Sequence, residues 1–586
     1  MKLRALSLTL GILFTLAGCL LPRDWYDALP RSAELPDPPI KGVTLLQISL
    51  VIEGLALLWL SLRRWSYTRL SPVERLSFVG APADEADDKR ISLYLLAAII
   101  ALTLALRLIN LGSDLWLDEI ATAQTYSQAP LLHVIGSYTS SNNHLLNTLL
   151  VKLAVAWAGN REWAIRLPAA LFGVATVPAL YWMARMALSR RASLVAALLL
   201  AVSYHHIFFS QNARGYSAYL LFSLLSSGLL AQGLQEDRAR DWALYVAAML
   251  LDFAALLNSG FVFAAHILAG AAALIAIKRR GGASIPMLRR LTAVFALIAL
   301  LGFQLYALIL PQAYVISRVV YTDPSVGFSP FSAEFLKELM RGLSAGLYAK
   351  FGAGLSIGLV LGALPFLAIV GAGFLIVFRR QWALAAALAL PPVLTAVYLL
   401  VNRATFSPRF FLLGLPLAVL SVAQGLFSFA DLVADRLRES RKTFAPKLAT
   451  ALGLAVCAVS LASLRYYYFV PKQSYRASLE YLEELRKPDG IVIVVYLAEA
   501  GYRYYGLRAG LKEGENCFFV RSLAALETTL ANHRGRRNFL VTTFSRNLRL
   551  SYPDLNARIS QGWDIARTFP ATIGDGEISV WRPRQP

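Results

Sequence analysis

The sequence predicts a polytopic α-helical membrane protein of about 13 transmembrane helices, closed by a small C-terminal extracytoplasmic α/β domain. Three observations carry this. The 586 residues are 57% hydrophobic with a mean hydropathy of +0.54, too apolar for a soluble chain, and the apolar residues gather in runs of about 17 to 25. Lys and Arg cluster in short runs beside those segments, in alternate loops. Past residue 466 the apolar runs shorten to strand length. The net charge of +21 therefore reflects the positive-inside bias, and no nucleic-acid partner is expected. Three cysteines, two of them in apolar segments, imply neither a disulfide framework nor a metal cluster.

In chain order the apolar segments fall at about 5–21, 43–62, 92–110, 163–187, 192–209, 217–234, 242–258, 260–277, 290–310, 354–378, 382–401, 410–429 and 447–465. The first ends in Leu16-Ala17-Gly18-Cys19, which resembles a lipoprotein cleavage box. An uncleaved first helix is the preferred reading, and both readings put residue 22 onward outside. Arg63-Arg64, Arg190-Arg191, Arg238 with Arg240, Lys278-Arg279-Arg280 with Arg289-Arg290, Arg379-Arg380 and the run from Arg436 to Lys447 occupy alternate loops. Taking those as cytoplasmic puts the N-terminus inside. Loop 111–162, residues 210–217, loop 311–353, residues 402–409 and the tail after 466 then share the outer face. A bacterial inner membrane is expected, with the tail domain periplasmic.

Residues 1–91 are read as two helices and a cytoplasmic linker, 92–465 as the membrane catalytic part, and 466–586 as the outer domain. The run LLNTLLVKLAVAWAG (145–159) is apolar enough to pass for a span, but counting it would invert every downstream loop. It reads as an amphipathic helix along the outer interface, with Lys152 on its polar side. Loop 311–353 combines a Pro/Gly-rich part with a helix at 331–347, and its length suits a lid or acceptor recognition. The tail carries strands at 491–496, 517–520, 538–543 and 577–582, and helices at 473–487 and 522–533. It has no phosphate loop and no nucleophile elbow, so recognition or support of the membrane part is its expected role.

Four groups on the outer face bear chemistry: Asp118-Glu119, Asn143-His144, the stretch Ser210–Tyr216 with Asn212, Arg214 and Tyr216, and Asn402-Arg403 with Pro408-Arg409. Arginine and histidine bind phosphate, a carboxylate takes a proton from an attacking hydroxyl, and an apolar groove holds a lipid chain. Plainer readings stand beside these. The acid pair caps a helix, His144 caps the 145–159 helix, and Arg214 snorkels to the interface. Arg403 and Arg409 lie where the positive-inside bias does not call for them. Glu53, inside the second span, is expected to face other helices.

The ordered motifs resemble those of the GT-C glycosyltransferases of the protein O-mannosyltransferase-like superfamily, which includes the bacterial lipid A aminoarabinose transferases. LWLDEIATAQ is similar to the family's Asp-Glu loop, and SSNNHLLNTLLVKL to its His-Pro-Pro-Leu segment and the helix after it. REWAIRLPAALFGVATVPALYWMARMAL resembles the Arg-Leu-Pro stretch, HHIFFSQNARGYSAY the Ser-Gln-acid-Ala-Arg-x-Tyr segment, and ATFSPRFFLLGLPLAVL the Pro-Arg-Tyr segment. The likeness spans residues 90–430. It departs where His144 is followed by two leucines, where Asn212 replaces the acid and where Phe410 replaces Tyr.

The resemblance implies inverting transfer of a sugar from polyprenyl phosphate to an acceptor glycan, lipid or protein. Asp118 is then the base or acceptor-orienting carboxylate, with Glu119 beside it in the catalytic pair. His144, Arg214 and Arg409, with Arg403 more weakly, become donor-phosphate residues. Asn143, Asn212 and Tyr216 become acceptor or positioning residues. No cofactor is required by the sequence, and a divalent cation at Asp118 is compatible with it. A transporter or flippase of lipid-linked sugars is the competing class; it predicts internal repeats and midplane charges, and neither is evident.

Overall fold

The computed structural model describes residues 2–30, 35–62, 67–78, 89–336, 338, 356–486 and 490–584. All the expected apolar segments are helical. Nine helices are long and apolar enough to cross a membrane among the described residues, or ten when one bent pair is counted as a single span. The other three expected segments form helices at Lys2–Leu20, Ala239–Ala255 and Ser356–Arg380. The chain is thus a multi-pass membrane protein.

The bent pair is the expected 192–209 span. It divides into Arg190–Ala201 and Tyr204–Ser210, inclined at 57°. A break frees backbone carbonyls that lipid cannot satisfy, so the protein must supply donors. Arg107 donates to the Ala201 carbonyl at 2.8 Å, and Ser460 Oγ to the Val202 carbonyl at 2.8 Å. Arg107 also meets His206 Nδ1 at 2.6 Å and is fully buried. The sequence read as one unbroken span because the apolar run continues through the bend.

Leu145–Ala158 is a 14-residue helix, about 21 Å long and too short for a bilayer core of about 30 Å. This agrees with the expectation that the segment does not cross. Lys152 reaches back to the Ala129 carbonyl at 2.7 Å. The 311–353 stretch begins differently from expectation. Leu310–Val319 is a helix that follows Ile285–Tyr306 after a short turn, and Phe328 pairs with Phe406 in an isolated bridge. The helix expected at 331–347 lies largely outside the described residues.

The two ends of the bundle collect different partners. At one end Asp237 accepts from Tyr67 and from the Leu70 amide, and pairs with Arg290. At the other, the 111–144 loop, the turn before Tyr216, the Pro408–Phe411 turn and the tail all meet. Glu53 is buried as expected, with no hydrogen-bond partner on either carboxylate oxygen among the described residues.

The tail folds on a five-stranded sheet of β1 (Ile491–Val495), β2 (Cys517–Val520), β3 (Asn538–Thr543), β4 (Trp563–Phe569) and β5 (Ile578–Pro583), in the order β2-β1-β3-β5-β4. β1 pairs in parallel with β2 and β3, while β5 runs antiparallel to β3 and β4. β4 is absent from the sequence reading. It is an edge strand with an irregularity between Ile565 and Arg567, and this spoils the alternation that marks a strand.

Candidate active site

Asp118 and Glu119 sit on the short helix Leu117–Ala121, and adjacent positions on so tight a helix face apart. Glu119 turns inward and has no exposed surface. Its Oε1 accepts from Arg166 Nε at 2.8 Å, the Ala213 amide at 2.9 Å and Lys472 Nζ at 3.0 Å. Its Oε2 accepts from Arg166 Nη2 at 2.6 Å and the Trp116 amide at 3.3 Å. Burial alone would raise the Glu119 carboxyl, yet Arg166 and Lys472 hold it down to about 2. Arg166 spends its remaining donors on the carbonyls of Leu111, Ser113 and Asp114. Burial pushes the Lys472 ammonium down to about 7, although Glu119 pulls it the other way.

Asp118 faces outward and keeps 16% of its side-chain surface exposed. Its Oδ2 pairs with Arg214 Nη1 and stands 3.7 Å from Arg409 Nη1. Arg214 lies in the turn between Tyr204–Ser210 and the helix Tyr216–Glu236. That turn packs tightly: a Cβ at Gly215 would fall 2.1 Å from the Ala255 carbonyl oxygen. Arg214 Nε donates to His144 Nε2 at 3.0 Å, which makes that nitrogen the acceptor. Burial pushes the His144 imidazole well below its ordinary value, and Arg214 and Arg409 push it the same way. His144 is therefore neutral and holds Arg214, and its side chain does not cap the following helix. Tyr216 completes the wall, with its ring 5.1 Å from the Arg214 guanidinium carbon and 5.5 Å from the imidazole.

Two cavities meet at this wall. The larger, about 440 Å³, is lined by the polar residues Ser141, Asn143, His144 and Arg214 and by the apolar Phe261, Ile316 and Leu399. The smaller, about 170 Å³, is lined by Trp116, His205, Asn212, Arg409 and the tail residues Thr572–Gly574. Arg214 and Tyr216 border both.

The predicted residues thus separate. Asp118, His144, Arg214, Arg409 and Tyr216 come together. Asn143 lines the larger cavity, but its amide is engaged with the Val134 and Ser137 carbonyls. Asn212 lines the smaller and accepts from Trp116 Nε1 at 3.3 Å. Two expectations need correction. Neither acid is among the cavity-lining residues, but Asp118 is partly exposed and paired with the cavity-lining Arg214, whereas the Glu119 carboxylate is enclosed by Arg166 and Lys472. Arg403 is exposed in a left-handed turn (φ 53°) and also lines neither, because that turn carries it away from Arg409. Sequence reasoning missed Lys472, and it read Arg166 only as part of a motif. An Arg in the first turn of an apolar span and a Lys just past the last one were the available signals. Among the described residues, no group of three or more His, Cys, Asp or Glu side chains is placed to hold a metal ion.

Residues 145–312 match the family described as dolichyl-phosphate-mannose-protein mannosyltransferase. No curated protein matches the chain in sequence. Among solved structures, ArnT from Cupriavidus metallidurans in the apo state is 12% identical, with 84% of this chain and 98% of that chain covered at a TM-score of 0.46. The archaeal oligosaccharyltransferase AglB from Archaeoglobus fulgidus is 13% identical, with 81% and 73% covered at 0.47. The arabinosyltransferase EmbB from Mycobacterium smegmatis is 14% identical, with 79% and 47% covered at 0.33. Over residues 145–312 the resemblance to the protein O-mannosyltransferase-like family read from the motifs holds, and that stretch contains both Arg166 and Arg214.

Proposed function

We propose that this protein moves a sugar from a polyprenyl-phosphate donor to an acceptor on the extracytoplasmic face of the bacterial inner membrane, with inversion and with Asp118 as the base. One observation carries the reading: the partly exposed Asp118 carboxylate pairs with Arg214, which lines both cavities, and stands 3.7 Å from Arg409, which lines the smaller. The family description over 145–312 names a polyprenyl-phosphate sugar, dolichyl-phosphate mannose, which supports the same donor class.

In this reading the lipid chain occupies the larger cavity, and the donor phosphate meets Arg214 and Arg409. Their paired donors neutralise the charge that builds on the leaving phosphate. Neutral His144 fixes the Arg214 guanidinium rather than adding a charge of its own. The acceptor hydroxyl enters from the smaller cavity and gives its proton to Asp118 as its oxygen bonds to the anomeric carbon. The carbon–phosphate oxygen bond breaks on the opposite face, and polyprenyl phosphate leaves. Glu119 takes no part in the proton transfer; it holds the helix that carries Asp118. Among the described residues Asp118 is engaged by Arg214 and Arg409, and the proposed steps use these side chains alone.

The test supplies labelled polyprenyl-phosphate sugar to membranes containing the Asp118→Asn variant. Lipid binding without transfer supports the reading. Undiminished transfer removes Asp118 from the mechanism, and lipid-linked sugar that crosses the membrane unreacted points to a flippase.

A further inference from the structure

We propose that the tail domain is a clamp on the reaction centre, in which Lys472 and Gln473 are positioning residues that fix the Arg214 turn and the Asp118 helix against each other. The inference rests on the function proposed above and assigns the tail a part in it.

These two residues follow the last membrane helix, Phe444–Phe469, and precede the first tail helix, Tyr475–Arg486. Both are nearly or wholly buried, at 3% and 0% exposure. Lys472 donates to Glu119 Oε1 and to the Gln211 carbonyl. It therefore bridges the Asp118 helix and the turn that carries Arg214. Glu119 repeats the bridge by accepting the Ala213 amide, one residue before Arg214. Gln473 works from the other side. Its carbonyl oxygen accepts the amide of Leu117, the first residue of the Asp118 helix, at 2.9 Å. Its amide nitrogen donates to Thr543 Oγ1, at the end of β3, and to the Gly576 carbonyl. The sheet of the tail is thereby joined, through one side chain, to the residue before Asp118. The Thr572–Gly574 wall of the smaller cavity belongs to the same connection, since the Thr572 amide donates to the Pro471 carbonyl at 3.0 Å.

A purely adhesive tail would need no such precision, and the structure contains a contact of that simpler kind. Arg476 pairs with Asp114 and Glu162 and docks the tail without touching the Arg214 turn. It is the natural control.

The experiment uses the full-length protein in nanodiscs, as wild type, Lys472→Met, Lys472→Arg and Arg476→Ala. Hydrogen exchange is followed in the peptide covering 210–216, and binding is measured with undecaprenyl phosphate as the probe. Lys472→Met is expected to speed exchange at 210–216 about tenfold or more, because it removes a buried charge-assisted bond, and to weaken probe binding by a similar factor. Lys472→Arg is expected to recover part of both. Arg476→Ala is expected to lower Tm while leaving both near wild type. Equal exchange rates in Lys472→Met and wild type, or the same acceleration in Arg476→Ala, would overturn the clamp. Wild-type protein that does not bind the probe would instead count against the proposed donor, and the exchange comparison would still decide the clamp. Should Lys472→Met fail to fold, Gln473→Glu tests the same connection. Its carboxylate still accepts the Leu117 amide but can no longer donate to the Gly576 carbonyl, so faster exchange at 115–121 is expected, and unchanged exchange there would overturn the clamp.

Discussion

Asp118 keeps part of its side chain open and meets two arginines that line cavities; Glu119, one residue later, keeps none of its surface and meets Arg166, Lys472 and two backbone amides. The two acids share a helix, a loop and a side of the membrane. What separates them is the direction each faces from that helix. A carboxylate that is partly solvated can exchange its partners for substrate, while a buried one cannot let go of a cation without leaving a charge stranded. One acid is thus suited to chemistry and the other to architecture.

The widest effect expected from this contrast is on transfer. Asp118→Asn should lower the turnover of labelled polyprenyl-phosphate sugar by about 10²- to 10⁴-fold, the usual range for a general base, with a smaller fall in Tm than Glu119→Gln because Asp118 and Arg409 are partly exposed. Glu119→Gln should do the reverse in kind. It leaves Arg166 and Lys472 buried beside a neutral amide and should cost on the order of 3–5 kcal/mol, read as a fall in Tm or in folded yield. If Glu119→Gln folds normally and only turnover falls, the division between the two acids is wrong.

Arg409→Ala comes next. It should weaken binding of undecaprenyl phosphate by about tenfold to a hundredfold, the scale of a charge-assisted hydrogen bond, and leave stability almost unchanged.

The pH dependence of Tm sharpens the comparison further. Glu119 is held below its ordinary value, so the unfolded chain binds the extra proton between about 4.5 and 2. Its stabilisation is complete above that window and is lost as pH falls through it. Lys472 is also held down, from 10.5 to about 7, but it is a base. Between those values the unfolded chain again carries the extra proton, so stability rises with pH from about 7 upward. Glu119 and Arg166 face Lys472 directly, with Arg476, Asp114 and Glu480 around the adjoining cavity. Asp118→Asn should leave both windows in place, and Lys472→Met should remove the upper one. The smallest effect belongs to Arg403→Ala, expected within about 0.5 kcal/mol of wild type and without loss of transfer.

Much of this was open to sequence reasoning because it depends on local composition. Apolar length marked the spans, and the alternation of charge ordered the loops. The same alternation exposed 145–159 as a helix too short to cross, since a crossing there would have reversed every later loop. Asp118, His144, Arg214 and Arg409 were selected by residue type on one face, and the fold brings them into contact.

What the sequence by itself determined, then, is which segments form long apolar helices, where the polar loops fall between them, and which polar residues are candidates for one shared site. Only the tertiary structure decided what each of those residues does. Glu119 reaches Arg166 across 47 positions and Lys472 across 353, and no local pattern encodes a pairing at that separation. The bend after Ala201 depends on a donor from Arg107, 94 residues away. The tail, which shows no chemistry in its own residues, becomes part of the site because Lys472 and Gln473 are buried against the Asp118 helix. Apolar burial is written into each segment. The orientation of a single carboxylate is settled by whichever distant cation the packing delivers to it.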